Sequence, residues 1–238
     1  MYGIKFNGKH SYHDMGITLG IERDIGYPEK EKIKVKVPFT NVEYDFSMVY
    51  GEQTYTPRQL TYTLNVLDKN VVNTTERINV IETKLSNWLM NSNGKQKLYD
   101  DVMPGYYYLA EVEGGLNFDE LWNHGTLTVV FTAYPFMIAE LEEGNDLWDP
   151  FNFELDVAQI TDFEVNGTLE IVLYNVGTPS VTPEIEASAP MDIIKDGVTY
   201  NVPTGKSKSD DFVLSPGDNK LTIKGNGTIK FMFYKELI

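Results

Sequence analysis

The feature that most constrains the fold is a two-residue alternation of apolar and polar side chains, recurring in short runs along most of the chain. In Lys32 to Val37 the residues Ile33, Val35 and Val37 alternate with Lys32, Lys34 and Lys36. Successive side chains of an extended segment point to opposite sides, so this run predicts a half-buried strand with one face on a core and a lysine row in water. Leu60 to Val66 repeats the pattern, with Leu60, Tyr62, Leu64 and Val66 on one face. Further strands are predicted at Tyr106 to Val112, Thr126 to Tyr134, Thr168 to Tyr174, Thr182 to Glu186, Gly197 to Val202, Asp211 to Leu214, Asn219 to Lys224 and Thr228 to Tyr234. The longest uninterrupted apolar run is five residues, Tyr106 to Ala110, far below the roughly 20 that a membrane-spanning helix needs. The expected fold is mainly β, with no membrane insertion.

One segment has a different period. Between Thr74 and Asn91, Ile78, Ile81, Leu85, Trp88 and Leu89 fall on a single helical stripe,. Asn73 and Glu76 have capping-box spacing at its start, and Asn93-Gly94 supplies left-handed turn chemistry past its end,. The stripe reads as a core contact, because the opposite side lacks the basic row that would seat it on anionic lipid.

Asn166-Gly167, Asp196-Gly197, Pro216-Gly217 and Asn226-Gly227 separate short runs in the second half and read as turns of an antiparallel sandwich,. At 238 residues the chain has room for about one or two domains of roughly 150 residues. Tyr134-Pro135 follows a strong strand, and Glu140 to Pro150 has no clear period. The boundary is therefore placed near Tyr134 to Ala139, giving domains 1–136 and 137–238.

The net charge is −15, from 35 acidic and 20 basic residues. It is concentrated: Leu98 to Ile194 contains no Lys or Arg and 19 Asp and Glu. Sequence-independent grip on nucleic acid depends on Lys and Arg neutralising phosphates, so DNA binding is not expected. No cysteine is present, which removes disulfides, thiolate metal sites and cysteine nucleophiles. The N-terminus lacks a secretory h-region and cleavage site, so synthesis in the cytoplasm is the expectation.

Catalytic and ligand signals are sparse. His10 and His13 with Asp14 have no third nitrogen ligand at a recognisable spacing and read as an exposed loop; His124 reads as part of an Asn-His-Gly turn,. The acid pairs Asp100/Asp101, Asp119/Glu120 and Glu142/Glu143 invite a glycosidase reading. Adjacent acids on a strand point to opposite faces, however, and acids in loops are normally solvated. Asn145, Asp146, Asp149, Asn152 and Glu154 supply oxygen ligands suited to Ca²⁺ without the glycine of an EF-hand loop,. No nucleotide, hydrolase-elbow or zinc-protease motif occurs. No catalytic residue, cofactor or metal is assigned, and the chain is not expected to be an enzyme. The sequons at Asn73, Asn166 and Asn226 are accounted for by a helix cap and two turns, so glycosylation is not inferred.

The order of motifs resembles the distal tail protein (Dit) family of long, non-contractile-tailed bacteriophages. Ile4-Lys5-Phe6-Asn7-Gly8 leads into Ser11-Tyr12-His13-Asp14-Met15-Gly16-Ile17. Val35-Lys36-Val37-Pro38, Tyr44-Asp45-Phe46-Ser47, and Tyr55 with Arg58 follow. Leu85-Ser86-Asn87-Trp88-Leu89 resembles the family's helix, and Leu98-Tyr99-Asp100-Asp101, Pro104 and Tyr106-Tyr107 the segment after it. The second half adds Asn175-Val176-Gly177-Thr178, Pro183, Leu214-Ser215-Pro216-Gly217-Asp218-Asn219 and Gly225-Asn226-Gly227-Thr228. The resemblance covers nearly the whole chain. It departs at Pro38-Phe39-Thr40-Asn41, where many relatives have a Pro-Gly turn.

The resemblance implies an N-terminal β domain with one α-helix, followed by a C-terminal galectin-like antiparallel β-sandwich. It further implies a homohexameric ring at the virion tail tip, acting as a baseplate hub for host attachment. The ring would join the tail tube protein to a tail-associated lysin or fibre protein and, in some phages, to receptor-binding proteins. DNA can pass through such a ring without sequence-specific binding. The acidic segment would either line the channel or form a soluble outer surface. The alternative from another class is a carbohydrate-binding adhesion module using Trp148, rather than Trp122, as a stacking platform for saccharide. The absence of Arg after Arg77 argues against the usual galectin-type sugar cluster.

Overall fold

The computed structural model describes residues 2–49, 51–66, 75–121, 124–147 and 151–238. The chain divides into two compact units, Met1–Met137 together with Ile238, and Ile138–Leu237. The architecture is mainly antiparallel β.

The first unit contains β1 (Ile4–Phe6), β2 (Lys9–His10), α1 (Ser11–Met15), β3 (Thr18–Ile25), β4 (Lys34–Lys36), β5 (Glu43–Asp45), β6 (Arg58–Val66), α2 (Thr75–Met90), β7 (Gln96–Asp100), β8 (Tyr106–Glu111), β9 (Asn117–Leu121) and β10 (His124–Ala133). Its main sheet runs β2-β1-β7-β8-β10-β6-β3, with β9 folded back on the first half of β10. The alternation in Leu60 to Val66 does what its period predicts: Leu60, Tyr62, Leu64 and Val66 are buried in the core. The helix α2 covers that core with Leu85, Trp88 and Leu89, and Ile78 is also buried. Its expected cap, Asn73, lies outside the described residues. Gly94 takes the left-handed conformation just past the helix, at φ 72°.

The first strand and the helix are tied through polar atoms. The Trp88 indole N–H donates to the Phe6 carbonyl at 2.7 Å. Asn7 and Gly8 both have positive φ, 45° and 75°, the requirement of a type I′ hairpin turn between β1 and β2. That turn aims the Asn7 amide at the helix C-terminus, where it donates to the Asn91 carbonyl at 3.0 Å and, longer, to that of Trp88 at 3.4 Å.

Asp100, at the end of β7, is buried at the centre of a polar network. Its carboxylate accepts from the Arg23 guanidinium at 3.0 Å, the Tyr62 hydroxyl at 3.1 Å and the Val102 amide at 2.9 Å. Burial pushes the Tyr62 phenol far above its ordinary pKa, and the Asp100 charge adds to the shift. The network bonds three chain segments, at residues 23, 62 and 100–102, inside an otherwise apolar layer. Asp100→Ala would leave the buried Tyr62 hydroxyl without its acceptor and the partly exposed Arg23 guanidinium without its ion pair. The expected loss is about 2–4 kcal/mol of unfolding free energy, read from urea denaturation of the full chain.

In sequence, β11 (Met137–Ala139) follows β10. The second unit contains β12 (Asp162–Asn175), β13 (Glu184–Ala187), β14 (Met191–Lys195), β15 (Val198–Val202), β16 (Gly205–Ser207), β17 (Gly217–Met232) and β18 (Glu236–Leu237). Its spine is β17, paired with β12 from Gly217 to Lys230 and, on its other edge, with β14 and then β13. Leu173, Ile193, Leu214, Ile223, Ile229 and Phe231 form the centre of the core.

Several sequence expectations are corrected here. Asn219–Lys224 and Thr228–Tyr234 are not two strands around a turn: β17 continues through Asn226-Gly227, and Asn166-Gly167 sits opposite it inside β12. Gly225 and Gly227 are there for close approach. A Cβ on Gly225 would lie 2.8 Å from Met191 Cγ, and one on Gly227 would lie 2.3 Å from Ser188 Oγ. The 188–191 crossing between β13 and β14 therefore passes against bare backbone. Asp196-Gly197 is the turn expected, with both φ positive between paired Lys195 and Val198. The segment Asp211 to Leu214 forms only an isolated bridge, Leu214 to Val181. A second, five-residue helix, α1, joins the one expected. No helix among the described residues is long and apolar enough to cross a membrane.

Candidate functional site

The run Lys32 to Val37 does form a strand, β4, and pairs antiparallel with β5 in the register Lys34↔Asp45, Val35↔Tyr44 and Lys36↔Glu43. Period two then places Ile33, Val35, Val37, Val42, Tyr44 and Phe46 on one face of the hairpin, and the lysines, Glu43 and Asp45 on the other. The lysine row is solvated as expected. The apolar face is not on a core: Ile33, Val35, Val42, Tyr44 and Phe46 are all exposed, and β4 and β5 form a sheet of their own. This corrects the half-buried reading. Periodicity dictates that one face is apolar and carries no information about what covers it.

The polar face and the base hold the hairpin in shape. Lys32 pairs with Asp45 at 3.2 Å and Lys34 with Glu43 at 3.5 Å, contacts that contribute little in water. Ser47 is the firmer element. Its hydroxyl accepts from the Ile33 amide at 2.8 Å, and its amide donates to the Asp45 carboxylate at 2.9 Å. Hydrogen bonds from the Ser47 hydroxyl and amide, with Lys32 beside it, hold the Asp45 carboxyl down at about 2. Closer to the main sheet, the Glu31 amide bonds to the Thr54 carbonyl and the Thr56 amide to that of Glu29, both at 2.9 Å. Arg58, buried at the start of β6, donates to the Gly26 carbonyl at 2.8 Å and the Pro135 carbonyl at 3.3 Å. Its guanidinium lies 5.1 Å from the Tyr108 ring centroid.

At the tip, the Thr40 amide closes a turn onto the Val37 carbonyl at 3.3 Å, and Phe39 takes φ 61°. This is the left-handed conformation that a glycine would occupy, and a side chain there costs about 1–2 kcal/mol. Phe39 is also fully exposed, at 107 %. A bulky apolar ring held at the end of a projecting hairpin in an unfavourable backbone conformation gives the protein's own fold nothing. It is an arrangement suited to contact with another molecule.

The other residues singled out from sequence have structural duties. His10 Nδ1 accepts from the Tyr12 and His13 amides at 3.1 and 3.2 Å, capping α1. Nε2 is therefore the ring N–H and faces Asp101 at 3.2 Å. Asp101 also accepts from the Gly3 amide at 2.7 Å. Asp100 and Asp101 thus serve two separate networks. Asn145 and Asn152 use their side-chain oxygens to accept from the Leu147 and Glu154 amides, forming local turns; no group of three or more His, Asp or Glu suited to a metal occurs among the described residues. Glu142 is partnered by Lys230 at 3.5 Å, while Glu143 is buried. Asp119 is exposed on β9. His124 begins β10 and pairs with Leu121. Trp122, Trp148 and Asp149 lie outside the described residues.

A titration of Asp45 tests the hairpin's local chemistry. Its folded pKa lies below the ordinary carboxylate value of 3.8. Its contribution to hairpin order is therefore complete above that value and is lost as the pH falls through about 2,. In Ser47→Ala the midpoint should rise toward the ordinary value, read from the Asp45 carboxyl carbon by NMR.

No protein-family model and no curated protein sequence matches the chain. Solved structures do. The SPP1 Dit protein (gp 19.1), described as a paradigm of the hub adsorption apparatus of phages infecting Gram-positive bacteria, is 13 % identical. The match covers 100 % of both chains with a TM-score of 0.69. A chain of the activated phage p2 baseplate with Sr matches at 9 % identity and a TM-score of 0.42, over 99 % of this chain and 97 % of that one. From end to end, the chain has the fold of the SPP1 Dit protein.

Proposed function

We propose that this chain is the structural hub of a bacteriophage tail tip. Six copies close into a ring that joins the tail tube protein to a tail-associated lysin or fibre protein. The first unit makes the ring contacts, and the second offers an outer surface for further tail proteins such as receptor-binding proteins. The observation that carries the reading is the uncovered apolar face of the 33–46 hairpin, on a chain that shares the full-length fold of a phage hub protein.

A two-stranded hairpin is marginal in water, and a contiguous apolar face on one is a docking surface or an aggregation hazard. A cyclic ring requires a heterologous interface, in which a projecting patch of each subunit meets a different patch of the next. An arm that ends in Phe39 and carries Tyr44 and Phe46 has the aromatic composition of an interface core. The role is structural rather than enzymatic: Asp100, Asp101 and Glu142 of the acid pairs are all engaged within the fold.

Native mass spectrometry of full-chain variants tests the assignment. Phe39→Asp should lower the assembled fraction sharply, by at least about tenfold in apparent affinity, since a buried Phe is worth about 1.5–3 kcal/mol. The melting temperature of the monomer should not change, because the ring touches no core. Phe39→Gly should weaken assembly similarly while relieving the left-handed strain. Variants that assemble like the wild type would remove the hairpin from the interface.

A further inference from the structure

In the second unit, three ionisable side chains converge in a buried place that the hub reading does not use. Lys235, between β17 and β18, has a side chain 6 % exposed and lies against the Asp156 carboxylate, which is 15 % exposed. Glu143, 5 % exposed, faces the same Nζ at 3.9 Å through Oε1. Backbone pairing fixes two of the three: the Ala139 amide donates to the Lys235 carbonyl at 3.0 Å, and the Glu143 amide to that of Phe233 at 2.9 Å. Asp156 is held by its own turn, its Oδ2 accepting from the Asn152 amide at 2.8 Å and its amide donating to the Asn152 carbonyl at 2.8 Å. The Gln159 amide donates to Glu143 Oε2 at 2.9 Å, leaving Oε1 toward the lysine.

An ordinary buried ion pair does not account for this arrangement. Two carboxyl groups face one amine, so ionising all three would leave an uncompensated buried charge. Asp156 Oδ1 is buried and makes no hydrogen bond, although it lies against Lys235 Nζ. A charge-assisted hydrogen bond is what such a pair normally forms. The contact instead presses the nitrogen against the carboxyl group of Asp156, next to the carbon it would have to reach.

We propose that Lys235 and Asp156 form an intramolecular amide bond, made by the protein on itself, with Glu143 as the proton relay. The neutral Nζ attacks Cγ of Asp156 while Glu143, in its acid form, gives its proton to the Asp156 oxygen. The tetrahedral adduct returns a proton from nitrogen to Glu143, which passes it to the departing hydroxyl. One C–N bond forms, one C–O bond breaks and one water leaves; starting from the Asp156 carboxylate, the proton that Glu143 began with departs in that water and Glu143 is left ionised. No oxidant, reductant or activated co-reactant is needed. In bulk water the amine and acid are both ionised and do not condense. Here burial lowers the Lys235 pKa, although the Glu143 charge opposes the shift. Burial likewise raises that of Glu143, against the Gln159 hydrogen bond and Lys235. Holding the reactants in contact replaces a bimolecular step with a unimolecular one. The bond would anchor the turn at Asp156 to the last strands and close a covalent loop from Asp156 to Lys235, in a chain with no cysteine to do so,.

Intact-mass spectrometry of the full chain under denaturing conditions, followed by peptide mapping, decides the matter. The wild type should be lighter than its sequence by one water, with a branched peptide linking Lys235 to Asp156. Lys235→Met and Glu143→Gln should each return to the full mass of their own sequences. The wild-type mass and map suffice even if a variant fails to fold. A wild-type chain at its full sequence mass would leave only a buried ion pair and overturn the proposal. So would a water loss that maps elsewhere, such as a succinimide at Asp196-Gly197. Unchanged cross-linking in Glu143→Gln would overturn the relay.

Discussion

An apolar surface must be covered by something, and among the described residues no layer lies across the apolar face of the 33–46 hairpin. Ile33, Val35, Tyr44 and Phe46 stand on one side of a two-stranded ribbon whose other side is salted with lysines and acids. The rest of the first unit follows from holding that ribbon out. Arg58 pins its root to the start of β6, Ser47 locks its strands in register, and the main sheet with α2 supplies a rigid base. The core and the proposed contact surface are separated along the chain: the core lies in β6, β10 and α2, and the uncovered surface lies in an excursion between β3 and β6.

The acidic run from Leu98 to Ile194 has a more divided role than its charge implies. Asp100 organises a buried network, Asp101 orients His10, and Glu143 and Asp156 meet Lys235. These carboxylates are internal fittings of two different units. The lysine that meets two of them comes from outside the run, so a segment without any basic residue finds its basic partner far away in sequence.

What could be read from the sequence was whatever depends on local period and local turn chemistry. The stripe from Ile78 to Leu89 specified α2, the alternation in Leu60 to Val66 specified a core strand, and Asp196-Gly197 specified a hairpin turn. Asn166-Gly167 and Asn226-Gly227 misled, because both dipeptides sit opposite each other inside a continuous ladder; at Gly227 the bare backbone lets a neighbouring crossing pass close, while Gly167 takes a positive φ of 80° with open space around it. Lys32 to Val37 misled differently: its alternation was real, but its covering surface is not in the same fold. Neither the meeting of Lys235 with Asp156 and Glu143 nor the caps made by Asn7 and His10 could be read at all. Each depends on a tertiary approach that leaves no periodic trace, although the unusual Phe39 in place of a turn glycine was visible as a departure from pattern.

The central claim is that the hairpin completes its burial in a closed ring of identical chains. The solution mass of the wild-type chain, measured by light scattering across a concentration series, tests it most directly. The account predicts a discrete species of six subunits that forms at the expense of monomer without larger aggregates. A chain that stays monomeric at every concentration, or grows into open-ended polymers, would contradict it.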